Sequence, residues 1–267
     1  MTAPRVREPL TATTVTAGQV ADLARACGGS AVAALAVPIV AGWRAVLDEI
    51  VTGDDAVRAR HTVERIEVGR PPGTGERCTV EGTVTGRFRH GTGDGLAVLL
   101  DITGSEGRRV ARVESVLQVP DRPPERFGRP SSPAPKVTAG GPAVASGTVA
   151  FTAAQVGDYC RATGDRFGLH LDPVAARAAG FDSPVVPGQL VLLHLAEAVA
   201  RAEALGRGRV GWVAAVGARF SRPVLVGQTL TWSVLPTERP ATWAIQADVP
   251  TGRALKAATV EASEESS

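Results

Sequence analysis

The chain is poor in the residues that most often mark reactive centres. It has four histidines, His61, His90, His170 and His194, and three cysteines, Cys27, Cys78 and Cys160. An odd number of widely spaced cysteines with no Cys-x-x-Cys pair excludes a disulfide framework and a dithiol redox centre, and leaves three reduced, structural thiols. No Cys/His/Asp spacing resembles a metal site, and no Gly-x-Ser-x-Gly elbow offers a serine nucleophile. Lysine occurs only at Lys136 and Lys256. The 29 basic residues against 27 acidic ones leave a net charge of +2, which gives no global attraction for nucleic acid or a membrane surface. No apolar run reaches the roughly 18 residues of a membrane span. Residues 1–9 carry charge and proline where a signal peptide needs an apolar core. These absences predict a cytoplasmic protein with no metal, cofactor, nucleic acid or membrane among its partners.

What the chain does contain is a unit written twice. Its 267 residues suffice for one large or two small domains. The stretch 15–28 lies beside 151–164 at an offset of 136, with Thr, Gln, Val, Asp, Arg, Ala and Gly coinciding. Val37-Pro38-Ile39-Val40-Ala41-Gly42 matches Ser183-Pro184-Val185-Val186-Pro187-Gly188 at offset 146. Val68-Gly69-Arg70-Pro71 matches Phe220-Ser221-Arg222-Pro223 at offset 152, and Gly75 then falls on Gly227. Three landmarks in one order mark an internal duplication. The second copy gains about ten residues between the first two landmarks, in the stretch 165–182. The first copy has Gly29 where the second has Asp165, and nothing to match His170.

Seven prolines between Pro120 and Pro142 exclude a helix or central strand there and predict an extended linker over residues 119–143. Each copy reads as a short helix, a loop, a longer apolar helix, then strands. In the second copy a helix over 153–162 takes Thr152 as N-cap, and 188–205 is apolar on most faces, as a helix wrapped by a sheet must be. Strands are predicted at 211–220, 229–235, 242–248 and 254–262, and in the first copy at 63–68, 77–87, 96–102 and 109–118. The fold class is α+β, with an antiparallel sheet around a central helix made twice.

Chemistry concentrates in the insertion. Asp165 and His170 stand five residues apart on an expected turn, followed by a glycine-started apolar helix at Gly188. An imidazole ordinarily titrates near neutrality and can take and return a proton. A carboxylate beside it can hold a water or hydroxyl. The first amide of a helix is unsatisfied and lies at the positive end of the helix dipole, so the Gly188 N–H is placed to polarise a carbonyl. Structural alternatives stay open at this point: Asp165 as a turn former, His170 as a buried hydrogen-bonding group, Gly188 as a packing glycine. Asp172 reads as a capping acid, and His61, His90 and His194 as surface or packing residues. Arg207, Arg209, Arg219 and Arg222 form either a solvated face or a phosphate-contacting one.

The second copy resembles the MaoC-like hot-dog dehydratases, which include the R-specific enoyl-CoA hydratases. Three pieces carry the likeness: 163–173, with the Asp-x4-His spacing of Asp165 and His170; 179–188, entering the central helix; and 220–230, the strand-turn-strand beyond it. The first copy looks like the degenerate half of the two-domain members. The resemblance implies a double hot-dog of two antiparallel sheets, each wrapping a helix, divided into a degenerate half (1–118), a linker (119–143) and a catalytic C-terminal half (144–267). It implies hydration or dehydration of a 2-enoyl or (3R)-3-hydroxyacyl thioester, delivered by coenzyme A or an acyl carrier protein, within fatty acid or polyketide metabolism. Asp165 and His170 would be the acid/base pair, the Gly188 N–H would bind the thioester oxygen, and Phe167 and Pro187 would contact substrate. No cofactor is implied, and a homodimer is compatible with the family.

The chain departs from the family at four positions. Phe167 and Gly168 replace an Asn-Pro, Pro187 replaces a histidine before the helix glycine, and Ala196 replaces a serine on the central helix. Groups around a reacting pair set its geometry. Two other functions therefore stay open: another reaction on an acyl thioester, such as addition or cyclisation, and a non-catalytic partner subunit.

Overall fold

The structure is a computed structural model that describes residues 9–30, 32–50, 60–90, 93–119, 137–207 and 213–263. The first half runs β1 (Pro9–Thr14), α1 (Ala17–Cys27), a 3-10 turn (Ala33–Leu35) leading into α2 (Ala36–Ile50), then β2 (Arg60–Val68), β3 (Arg77–His90), β4 (Gly93–Thr103) and β5 (Arg109–Val119). The second runs β6 (Ala145–Ala150), α3 (Ala153–Thr163), α4 (Gly168–Leu171), α5 (Pro173–Ala178), α6 (Gly188–Arg207), β7 (Val213–Phe220), β8 (Thr229–Pro236), β9 (Thr242–Val249) and β10 (Gly252–Ala262). The predicted strands are all present. Two edge strands, β1 and β6, and the short helices α4 and α5 are additions. Residues 120–136, most of the predicted linker, and 211–212 lie outside the described residues, as do Arg209 and the side chains of His90 and Arg207.

One expectation is corrected. The two copies do not keep separate sheets: all ten strands form one sheet, in the order β1-β3-β4-β5-β2-β7-β10-β9-β8-β6. Each half would otherwise end on an edge strand with a row of open backbone groups. Antiparallel pairing of β2 with β7 joins those edges, and Arg65 sits opposite Gly217, its counterpart at the repeat offset of 152.

The duplication is visible in local chemistry. Thr16 with Gln19, and Thr152 with Gln155, form matching capping boxes. Gly28 and Gly164 end the two helices in the left-handed region, at φ 77° and 76°, which favours glycine. Helices α1 and α3 meet through reciprocal ion pairs, Arg161 to Asp22 at 3.3 Å and Arg25 to Asp158 at 3.6 Å. Exposed pairs of this kind contribute little to stability.

Stability comes from the two long helices laid on the sheet. Helix α2 packs on β1, β3 and β4, and α6 on β7, β10 and β6. Leu190, Leu192, Leu193 and Leu195 on α6 are fully buried, each contributing about 1.5–3 kcal/mol by removal from water. The central helices also cross-brace the copies. Arg44 on α2 donates to the Gly164 carbonyl at 3.0 Å, and Arg201 on α6 donates to the Gly28 carbonyl. Among the described residues, no helix is long and apolar enough to cross a membrane. The cysteines are free and buried; burial pushes the Cys78 thiol up to about 11 and Cys160 to about 12, far from the thiolate form.

Candidate active site

The insertion unique to the second copy is built outward from the end of α3. The Thr163 hydroxyl donates to the Tyr159 carbonyl at 2.8 Å and accepts from the Asp165 N–H at 3.3 Å. One Asp165 oxygen, Oδ1, accepts from the Phe167 N–H at 2.9 Å, a local turn that fixes the side chain. Its other oxygen, Oδ2, stands 4.0 Å from His170 Nε2. His170 lies on α4, where sequence reasoning expects only a turn, and its N–H bonds the Phe167 carbonyl at 3.0 Å. The Phe167 ring meets the imidazole nearly edge-on, centroids 5.4 Å apart.

His170 Nδ1 is 2.6 Å from the Val185 carbonyl. A carbonyl can only accept, so Nδ1 carries a proton, and in the neutral imidazole Nε2 presents its lone pair towards Asp165. Val185 is held in turn: its N–H donates to the Leu169 carbonyl at 3.0 Å, Val186 N–H to Val224 O at 2.8 Å, and Val226 N–H to Pro184 O at 2.8 Å. The segment before the central helix is thus zipped both to the histidine loop and to the Val224–Val226 turn. Three residues beyond Val185, Gly188 opens α6. A Cβ at Gly188 would lie 3.0 Å from the Phe220 ring, tight enough that the ring would have to give way by a few tenths of an ångström. Pro187 is buried, and its carbonyl accepts from Val191 N–H.

Other candidates resolve structurally. Asp172 caps α5 through Oδ1 and the Val174 N–H at 2.8 Å. His194 packs edge-on against Phe151 and bonds the Cys27 carbonyl at 2.9 Å. Arg219 and Arg222 are exposed. Ala196, on α6, is fully buried.

Sequence reasoning missed a polar network behind the site. Gln189, next to Gly188, accepts from the Tyr159 hydroxyl at 2.6 Å and donates to Glu64 at 3.1 Å. Glu64 lies on β2 of the first copy and is fully buried. Burial pushes its carboxyl up to about 8, and Gln189 and the neighbouring Trp43 indole only partly counter that. His61, on the same strand, stacks between Trp43 and Phe220 at centroid distances of 5.2 and 5.1 Å. Burial pushes this imidazole down to about 4, against a bond to the Val63 backbone.

The sheet and the two helices laid on it define a double hot-dog protein. Solved structures share that architecture over almost the whole chain. A MaoC-like dehydratase from Phytophthora capsici is 19% identical with a TM-score of 0.77, over 99% of this chain and 97% of its own. A conserved hypothetical protein of Mycobacterium tuberculosis, described as having a double hot-dog fold, is 14% identical with a TM-score of 0.62, over 97% of this chain and 95% of its own. The full-length peroxisomal multifunctional enzyme type 2 of Drosophila melanogaster is 21% identical with a TM-score of 0.71; 95% of this chain matches, spanning about half (48%) of that protein's length. Residues 136–250 match the family model of the MaoC like domain. The chain therefore carries a MaoC-like domain in its second copy, as the sequence resemblance implies. No curated protein matches the chain in sequence.

Proposed function

We propose that the chain adds water to a 2-enoyl thioester, or removes it from a (3R)-3-hydroxyacyl thioester, with Asp165 and His170 as the acid/base pair. In this reading residues 144–267 are the catalytic half, 1–118 shape the acyl site, and 119–143 link them. Coenzyme A or an acyl carrier protein delivers the substrate.

The supporting observation is the pairing of two acceptors. Asp165 Oδ2 and His170 Nε2, which carries a lone pair in the neutral imidazole, face each other across 4.0 Å, each with its remaining atom already bonded to backbone. One water can donate a hydrogen to each, which leaves its oxygen lone pair free for carbon. In hydration that oxygen bonds C3 as the C2–C3 π pair moves toward the thioester carbonyl. The water's proton passes to the acid/base pair and on to C2, giving the 3-hydroxyacyl product. The transient charge on the thioester oxygen is held by the Gly188 N–H; one such donor lowers a barrier by about 3–4 kcal/mol. Dehydration retraces these steps.

The test is incubation of the purified protein with crotonyl-CoA and longer 2-enoyl-CoA thioesters while the enone absorbance is followed. Loss of absorbance with formation of the (3R)-3-hydroxyacyl product is expected. No hydration of any chain length, alone or with a second protein, would overturn the proposal.

A further inference from the structure

Buried polar atoms in folded proteins nearly always have partners, and those without one call for a reason. Here four of them gather in one place. Trp43 Nε1, His61 Nε2, Glu64 Oε2 and Ser115 Oγ are all buried and have no hydrogen-bond partner. Glu64 and Ser115 sit directly opposite each other on β2 and β5, so their side chains share a face. A β-bulge between His61 and Val63 breaks the alternation of β2. His61 pairs with Leu117, two residues from Ser115, and this brings the imidazole onto the same face. Trp43 reaches the patch from α2: its ring packs against His61, and its indole N–H faces the Glu64 carboxyl.

The patch borders the candidate site directly. Glu64 Oε1 is held by Gln189, the residue after Gly188, and His61 stacks on the Phe220 ring that abuts Gly188. All four groups come from the first copy, the half without the Asp/His loop. We infer that they form a polar subsite for a neutral oxygen function, a hydroxyl or carbonyl, carried on the acyl chain beyond C3; the inference rests on the acyl-thioester reading above.

The chemistry of the four groups selects that class. Indole N–H donates, serine hydroxyl donates and accepts, and a neutral histidine accepts at its unprotonated ring nitrogen. Glu64 holds its proton and His61 lacks one at neutral pH, since burial shifts them in opposite directions. The set is therefore uncharged. Of the two cations on the strand, Arg65 pairs with Glu67 and Glu261 instead, and Arg60 is exposed. A carboxylate or phosphate on the chain would find no counter-charge, and a plain alkyl chain would leave four buried polar atoms unsatisfied.

The experiment is calorimetric titration of the full chain with saturated acyl-CoA thioesters, which bind but cannot be hydrated. Each pair has the same length; one member is alkyl, the other carries a hydroxyl or keto group at successive carbons beyond C3. At one position the oxygenated member should bind at least ~10-fold tighter, because a site built for a hydrogen bond rejects the analogue lacking it. Ser115→Ala and His61→Phe should each bring the two affinities towards equality. Equal or tighter alkyl binding at every position would overturn the inference while leaving the thioester reading intact. A preference that survives both substitutions would also overturn it. Binding of neither series would overturn both.

Discussion

Arg44 and Gly164 belong to different copies of the duplicated unit, yet the Arg44 guanidinium donates to the Gly164 carbonyl at 3.0 Å, one residue before Asp165. Arg201 and Gly28 repeat the arrangement in the other direction, where no acid follows. The same brace thus holds the candidate catalytic turn in one copy and only a helix end in the other.

Arg44→Ala should therefore lower kcat by about tenfold or more with little change in KM, because small misplacements of a reacting group are costly. Arg201→Ala is the control. Each substitution removes one exposed hydrogen bond and should cost about 1 kcal/mol of stability at most, measured by denaturant unfolding. Only Arg44→Ala should slow turnover.

Gly188→Ala pushes a methyl to 3.0 Å from the Phe220 ring. Overpacking of this kind costs about 1–3 kcal/mol, and it should tilt the first turn of α6 and weaken the thioester-facing amide. Pairing it with Phe220→Leu should restore part of the stability and of kcat/KM. A double-mutant cycle reads the coupling, and additive losses would show that the contact does not matter.

Glu64 makes stability depend on pH in a definite direction. Its folded-state carboxyl is raised by burial to about 8 from an ordinary 4.5, so the folded chain holds a proton that the unfolded chain releases. That contribution is complete below the unfolded value and declines as pH rises from 4.5 towards 8. Thermal melts should show Tm falling through this window more steeply in the native chain than in Glu64→Gln. Parallel curves for the two would contradict the assignment.

Much of this was legible in the sequence because the duplication repeats exact local devices: a capping box, a C-terminal glycine and a turn glycine. The Asp165/His170 pair was legible because it falls in the one stretch the first copy lacks. The continuous sheet was not, since β2–β7 pairing is made by backbone groups that any side chains carry. Strands β1 and β6 are short edges, and α4 and α5 are shorter than the span over which helical periodicity can be read. The Glu64–Gln189–Tyr159 network was hidden for two reasons. Glu64 and Gln189 lie 125 positions apart, and a bulge before Val63 disguises which β2 residues face inward. A charged residue in a strand otherwise reads as solvent-facing.

The central claim is that the 4.0 Å gap between Asp165 and His170 is where water is activated. It is tested most directly by the initial rate of 2-enoyl-CoA hydration in Asp165→Asn and His170→Ala, with folding of each checked by circular dichroism. Each should fall at least ~100-fold below the native chain, the usual scale of general acid–base catalysis. A folded variant of either kind that hydrates at close to the native rate would contradict the account.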